Sequence, residues 1–198
     1  MGRVFCIVGK SSSGKDTIYK KLLINPTLQL KRIVLYTTRP IRAGEQEGVE
    51  YYFIKEEIME RLQNDGKIIE CRSYNTVYGI WYYFMAKDDQ IDLEKFNYLI
   101  IGTLESYVKI RDYFGQDKVV PIYIDLDDGE RLTRALQREK KQCEPKYEEM
   151  CRRFLADAKD FSIENLERAG IMKYFYNNNL NACLSDITAY ILSINEQI

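Results

Sequence analysis

The sequence predicts an α/β fold built on a parallel sheet, and three observations carry that prediction. Apolar runs of strand length alternate with helically periodic segments along the whole chain. The first run, Val4 to Val8, breaks into a loop with Gly9, four further residues, Gly14 and Lys15, and a helical pattern follows. Residues 51–85 are rich in aromatics and read as an insertion with a small antiparallel sheet of its own.

Taken in order, strand 4–8 leads into a helix over about 15–24, with Ile18, Leu22 and Leu23 on its apolar face. A strand follows at about 33–36, then a polar, Gly-containing segment over 37–50 and a short strand from Tyr51 to Ile54. Ile58, Met59 and Leu62 give 55–65 a helical period that ends at Gly66, and 67–71 and 77–85 read as further strands. Tyr98 to Ile101 is a core strand before a helix at 104–113, and Val119 to Ile124 is another. Asp127 or Asp128 suits the cap of a helix reaching about Lys141. A charged helix runs from about Lys146 to Arg168, then a strand from Met172 to Tyr176, then an amphipathic helix over 180–195.

Composition narrows the function. The 198 residues are 45% hydrophobic and 30% charged, as in a soluble globular chain of one domain. With 29 basic and 30 acidic residues there is no general surface for nucleic acid or membrane. No apolar run has the length of a membrane span, the first strand leaves no room for a signal peptide, and the expected location is cytoplasmic. The five cysteines are widely spaced and there is no histidine, which speaks against a zinc site and against Ser-His or Cys-His chemistry. Catalysis in such a chain works by positioning charge.

The Gly9–Lys15 segment has the form of a phosphate-binding loop. Its glycines let backbone N–H groups converge on phosphate oxygens, and the helix N-terminus adds a favourable dipole. Gly9, Ser11, Ser12, Ser13, Gly14, Lys15, Asp16 and Thr17 form this candidate nucleotide site, with Lys15 the cation for the terminal phosphates. Asp16 stands where such loops carry a hydroxyl residue as a magnesium ligand. A carboxylate is also a hard oxygen donor, which makes Asp16 the candidate metal ligand. Farther on, Arg39 and Arg42 lie three apart in a Pro/Gly segment near the phenol of Tyr51. Two forked cations in a turn suit a dianionic phosphate. The same spacing also suits a solvated loop with surface arginines.

Together, these segments resemble the guanylate kinase family. The stretch Thr37-Thr38-Arg39-Pro40-Ile41-Arg42 through Gly44-Glu45, Gly48 and Glu50-Tyr51-Tyr52-Phe53 is similar to that family's acceptor-site signature. Ile68-Ile69-Glu70, Tyr78-Gly79, the lid segment Arg134 to Arg138 with Arg153, and Tyr176-Asn177-Asn178 extend the resemblance over nearly the whole chain. It implies a three-layer P-loop kinase with an acceptor-binding insertion (37–85), a helical lid (129–160) and a core made of 1–36, 86–128 and 161–198. It further implies transfer of the ATP γ-phosphoryl group to GMP with Mg²⁺. Arg39, Arg42, Tyr51 and Tyr78 would hold the acceptor phosphate, and Glu70 would accept from the guanine edge. Lys15, Arg134, Arg138 and Arg153 would be catalytic, and Asn177 would lie beside the adenine. The partner implied is a small nucleotide or sugar phosphate, bound by a monomer or homodimer.

Three features depart from the family pattern. Ile80 replaces a small hydroxyl residue, Asp16 follows the loop lysine, and Leu99 to Glu105 lacks two aspartates, leaving Thr103 and Glu105 as the nearest polar groups. These departures keep two alternatives open: a kinase for another phosphorylated acceptor such as ribose 1,5-bisphosphate, and a non-catalytic module that binds phosphopeptides.

Overall fold

The structure, a computed structural model, describes residues 1–42, 44–76 and 79–196. Its centre is β1 (Val4–Val8), whose five residues are all fully buried. A strand covered on both faces must be apolar throughout, which is why this run shows no polar alternation. It pairs in parallel with β7 (Asn97–Ile101) and with β8 (Val119–Asp125). Outside these lie β2 (Leu30–Arg32) and β9 (Tyr174–Tyr176), so the sheet order is β2-β7-β1-β8-β9, parallel throughout.

Alternate residues of β1 feed two cores. Phe5 and Ile7 pack with Ile18 and Leu22 of α1 (Lys15–Leu23) and with Ile187 and Ile191 of α7 (Leu180–Asn195). Val4, Cys6 and Val8 face the other side, toward Tyr107 and Ile110 of α3 (Leu104–Phe114). The Cys6 thiol is part of that core, and burial pushes its pKa up to about 12. Helix, sheet and helix make the three layers, and the loops at the C-terminal ends of the strands gather on one side of the sheet.

A second sheet has the order β4-β3-β6-β5, formed by β3 (Tyr36–Thr37), β4 (Tyr52–Phe53), β5 (Ile68–Thr76) and β6 (Gly79–Ala86). It is mixed rather than antiparallel. The β5–β6 and β6–β3 pairs are antiparallel, but segment 38–51 carries the chain back so that β4 lies parallel to β3. The expected strand at 33–36 falls between the two sheets, since β2 ends at Arg32 and only Tyr36 enters β3. Ile33, Val34 and Leu35 are buried in the crossing, where the Gln90 side chain receives Val34 N–H at 3.0 Å and donates to Val34 O at 3.2 Å. A side-chain amide there replaces a strand partner.

Helix α2 (Glu56–Asn64) precedes the β5–β6 hairpin, and α4 (Asp128–Lys140) starts at Asp127, whose carboxylate accepts from Gly129 and Glu130 N–H. The expected helix over 146–168 breaks into α5 (Tyr147–Asp160) and α6 (Ile163–Arg168). Phe161 turns into the core between them and Ser162 caps the second piece, accepting from Asn165 N–H at 3.3 Å. Among the described residues no helix is long and apolar enough to cross a membrane.

Asn179 caps α7, its side-chain oxygen accepting from Asn181 and Ala182 N–H at 3.0 Å each. Asn179→Ala should lower stability by about 1 kcal/mol, read as a melting temperature about 2–4 °C lower by circular dichroism. An unchanged melting temperature would refute this account of the helix start.

Candidate functional site

The loop between β1 and α1 is shaped by what touches it. A side chain at Gly9 would bring its Cβ to 2.6 Å from the Ile124 carbonyl, and one at Gly14 to 2.2 Å from Asn177 Nδ2. Gly14 also sits at φ +90°, a conformation that other residues adopt with strain. Asn177 is buried and donates to the Ser13 carbonyl at 2.7 Å, so it props the loop from beneath. The hydroxyls of Ser12 and Ser13 are buried with no hydrogen-bond partner, and Gly14 gives α1 no side-chain cap. Unpaired buried hydroxyls beside an uncapped helix N-terminus fit an anion with several acceptor oxygens. Asp16 and Thr17 are exposed on the first turn of α1. One carboxylate and one hydroxyl fit a magnesium ion that keeps several waters and is held chiefly through phosphates. Among the described residues no group of three or more acidic or cysteine side chains forms a metal cluster.

Two clefts, of about 940 Å³ and 860 Å³, meet at Lys15, which lines both along with Arg72, Gly102 and Thr103. Thr103 is engaged as the cap of α3. It exchanges bonds with Ser106, whose N–H reaches the Thr103 hydroxyl at 3.2 Å while Ser106 Oγ accepts Thr103 N–H at 2.9 Å. Glu105 is mostly exposed and pairs with Lys109 at 2.6 Å.

On the insertion side, Arg39 is buried and held on every side. Nε donates to Tyr83 OH at 3.1 Å, Nη1 to Pro40 O at 2.8 Å and to Glu45 Oε2 at 2.9 Å, and Nη2 to Glu45 Oε1 at 2.8 Å. That leaves one guanidinium N–H outside these bonds. Tyr51 lies beside it, 5.6 Å from ring centroid to guanidinium, and burial pushes its phenol pKa up. Arg42 is exposed, and its backbone N–H reaches Glu45 Oε2 at 2.8 Å. The turn thus brings the Arg39 guanidinium and the Arg42 backbone to Glu45, with Tyr51 beside Arg39; of the three, Tyr51 lines a cleft and the two arginines line neither. Tyr78 lies outside the described residues.

Glu70 is 2% exposed on β5, and Arg72, two residues on, holds it through Nε to Oε2 and Nη2 to Oε1, both 3.2 Å. Burial pushes the Glu70 carboxyl above its ordinary range, against the pull of Arg72. Arg72 lines both clefts, whereas Glu70 lines neither.

On the helical side, Arg134 Nη2 donates to the Asn177 carbonyl at 3.3 Å, with Nη1 3.8 Å from the Cβ position of Gly14. Arg138 is exposed, and Arg153 is exposed and pairs with Glu149 at 3.6 Å and Glu139 at 4.0 Å. Neither lines the two clefts. The arginine that does grip the loop is Arg131, 1% exposed, donating from Nε to the Ser11 carbonyl at 3.0 Å and from Nη2 to Asp157 at 3.2 Å, and bonded to Asp128. Asp157 in turn accepts Ser11 N–H at 2.6 Å. Sequence reasoning missed Glu45, Arg72, Tyr83, Arg131 and Asp157. Glu70 and Arg72 had a readable signal, since residues two apart on a strand share a face. Asp157, from a charged helix, had none.

The family model described as guanylate kinase matches residues 1–100. The guanylate kinase of Anaplasma phagocytophilum (strain HZ) is 32% identical over 141 residues, covering 69% of this chain and 63% of that protein. That of Legionella pneumophila (strain Lens) is 38% identical over 81 residues, covering 41% of this chain and only 37% of the relative. The crystal structure of guanylate kinase from Anaplasma phagocytophilum superposes with a TM-score of 0.63 at 25% identity, over 97% of this chain and 85% of that one.

Arg39, by hydrogen bonding, holds the Glu45 carboxyl down from 4.5 to about 2. A carboxyl whose folded pKa is depressed contributes stability in full above about pH 4.5 and loses it as pH falls toward about 2. Glu45→Gln should therefore flatten the fall in stability across that window, read from urea midpoints at successive pH values. Parallel curves for the two proteins would refute the pairing.

Proposed function

Because the chain belongs to the guanylate kinase family, we propose that it transfers the γ-phosphoryl group of ATP to a nucleoside monophosphate, foremost GMP, giving GDP and ADP. The observation that carries this reading is the unsatisfied loop: two buried serine hydroxyls without partners, next to an uncapped helix N-terminus and Lys15. That arrangement asks for a polyphosphate, and Lys15 between two clefts sits where a donor and an acceptor phosphate would meet.

In this mechanism the loop amides and the Ser12 and Ser13 hydroxyls bind the donor phosphates. Lys15 offsets charge on the transferring group from the junction of the clefts. Arg134, seated beside Gly14, adds a second cation on the donor side. Arg42, with the remaining N–H of Arg39 and the Tyr51 phenol, binds the acceptor phosphate. Asp16 and Thr17 would hold Mg²⁺ through water and phosphate, and the ion when bound offsets phosphate charge. No side chain has to move a proton far, which suits a chain without histidine.

An ADP-release assay with ATP, Mg²⁺ and a panel of nucleoside monophosphates tests the reading. GMP should turn over, and Lys15→Ala should cut kcat by about 10²–10³ while leaving the GMP dissociation constant within about threefold, since no acceptor-phosphate group is lost. ATP binding without phosphorylation of any monophosphate would overturn the proposal.

A further inference from the structure

Resting on the kinase reading above, we propose that Arg72 is the specificity-determining residue of the acceptor pocket. It reads the 6-oxo edge of a purine, with Glu70 as the positioning residue behind it. The bulge between Ile68 and Glu70 shifts the register of β5 against β6, and a bulge re-aims the side chains beside it. Glu70 is turned inward, with its side chain fully covered, while Arg72 keeps 14% of its side chain exposed. Of this pair, the group that lines both clefts is the Arg72 guanidinium, not the Glu70 carboxylate.

Donor geometry says what that guanidinium can meet. Its side-on fork, Nε and Nη2, is engaged by the two oxygens of Glu70. The end-on fork, made by Nη1 and the second N–H of Nη2, is left for the cleft. Two parallel N–H donors match two adjacent acceptors, the O6 and N7 atoms of guanine or hypoxanthine, the pairing by which arginine most often reads guanine. Adenine presents an amino donor at that edge and is rejected, because donor would face donor. A base read through O6 and N7 is indifferent to the guanine 2-amino group. Had Glu70 read the N1 and 2-amino edge directly, guanine would be strongly preferred over hypoxanthine. The two modes give opposite predictions for IMP.

The test compares kcat/KM for GMP, IMP and AMP in the wild-type protein, in Arg72→Met and in Arg72→Lys. In the wild type, IMP should lie within about threefold of GMP, with AMP lower by about tenfold or more. Arg72→Met should lower GMP and IMP alike by about tenfold or more and leave AMP within about threefold, whereas a merely structural loss lowers all three together. Arg72→Lys keeps the charge without the fork and should lose the 6-oxo preference as well. The inference alone is overturned if wild-type GMP exceeds IMP by about tenfold, or if the variants lower all three acceptors equally. If no monophosphate turns over in a protein that binds ATP, the kinase reading fails and this inference falls with it. The wild-type comparison needs no variant to fold.

Discussion

The nucleotide end of the molecule depends on the seating of one amide, that of Asn177, under the turn at Gly14. Asn177 leaves the end of β9 at the edge of the parallel sheet, its N–H received by the Asp125 carbonyl at 2.9 Å. From there its side chain fills the space that a Cβ at position 14 would need, and it ties down the Ser13 carbonyl. Its own carbonyl receives Arg134 from α4. Loop, sheet edge and helical segment therefore meet at a buried residue from the last quarter of the chain. The Ser12 and Ser13 hydroxyls stay unpaired because the backbone around them is fixed by groups that do not reach them. Unmet bonding capacity is stored where a ligand can relieve it.

A second regularity concerns arginines. Arg39, Arg72 and Arg131 are each held by a carboxylate of this chain: Glu45, Glu70, and Asp128 with Asp157. A long cation buried alone would be costly and would wander among rotamers. Pairing fixes the planar fork and leaves the unused N–H groups pointing in set directions. The carboxylates thus act as orienting groups, and the arginines remain able to meet an anion or a carbonyl. At Ser11 the logic inverts. There the Asp157 carboxylate receives a backbone N–H of the phosphate loop directly, in the manner of a phosphate oxygen. The clasp joins α4 and α5 to the loop, so the position of these helices and the occupancy of the loop amide are linked.

Most of the fold was legible in the sequence because it follows from periodicity. The buried run of β1, the helix pattern after Lys15 and the capped start of α4 each reflect a local rule. What local rules miss is where a run changes partner. Ile33 to Leu35 looks like a strand because it is buried and apolar, yet it crosses between sheets with a glutamine as its hydrogen-bond partner. Phe161 fits the period of one long helix, but its pull into the core splits that helix in two. The site divides in the same way. The loop and the Arg39–Arg42 turn are contiguous in sequence and could be read. The grip of Arg131 and Asp157 on Ser11 joins residues more than a hundred positions apart, and no spacing announces it.

The departures from the family pattern have a common physical consequence. After β7, where the resemblance places carboxylates, Gly102 has no room for a side chain: a Cβ there would lie 2.4 Å from Ser106 Oγ. The next residue, Thr103, is committed to capping α3. The next polar group along, Glu105, lines the larger cleft but is paired with Lys109, which also reaches the Cys71 carbonyl at 3.3 Å. In the proposal above, base recognition comes from the facing hairpin. There the group at the surface is Arg72, standing in front of Glu70. A fork of donors on the hairpin wall suits a base edge rich in acceptors, as the 6-oxo edge of a purine is.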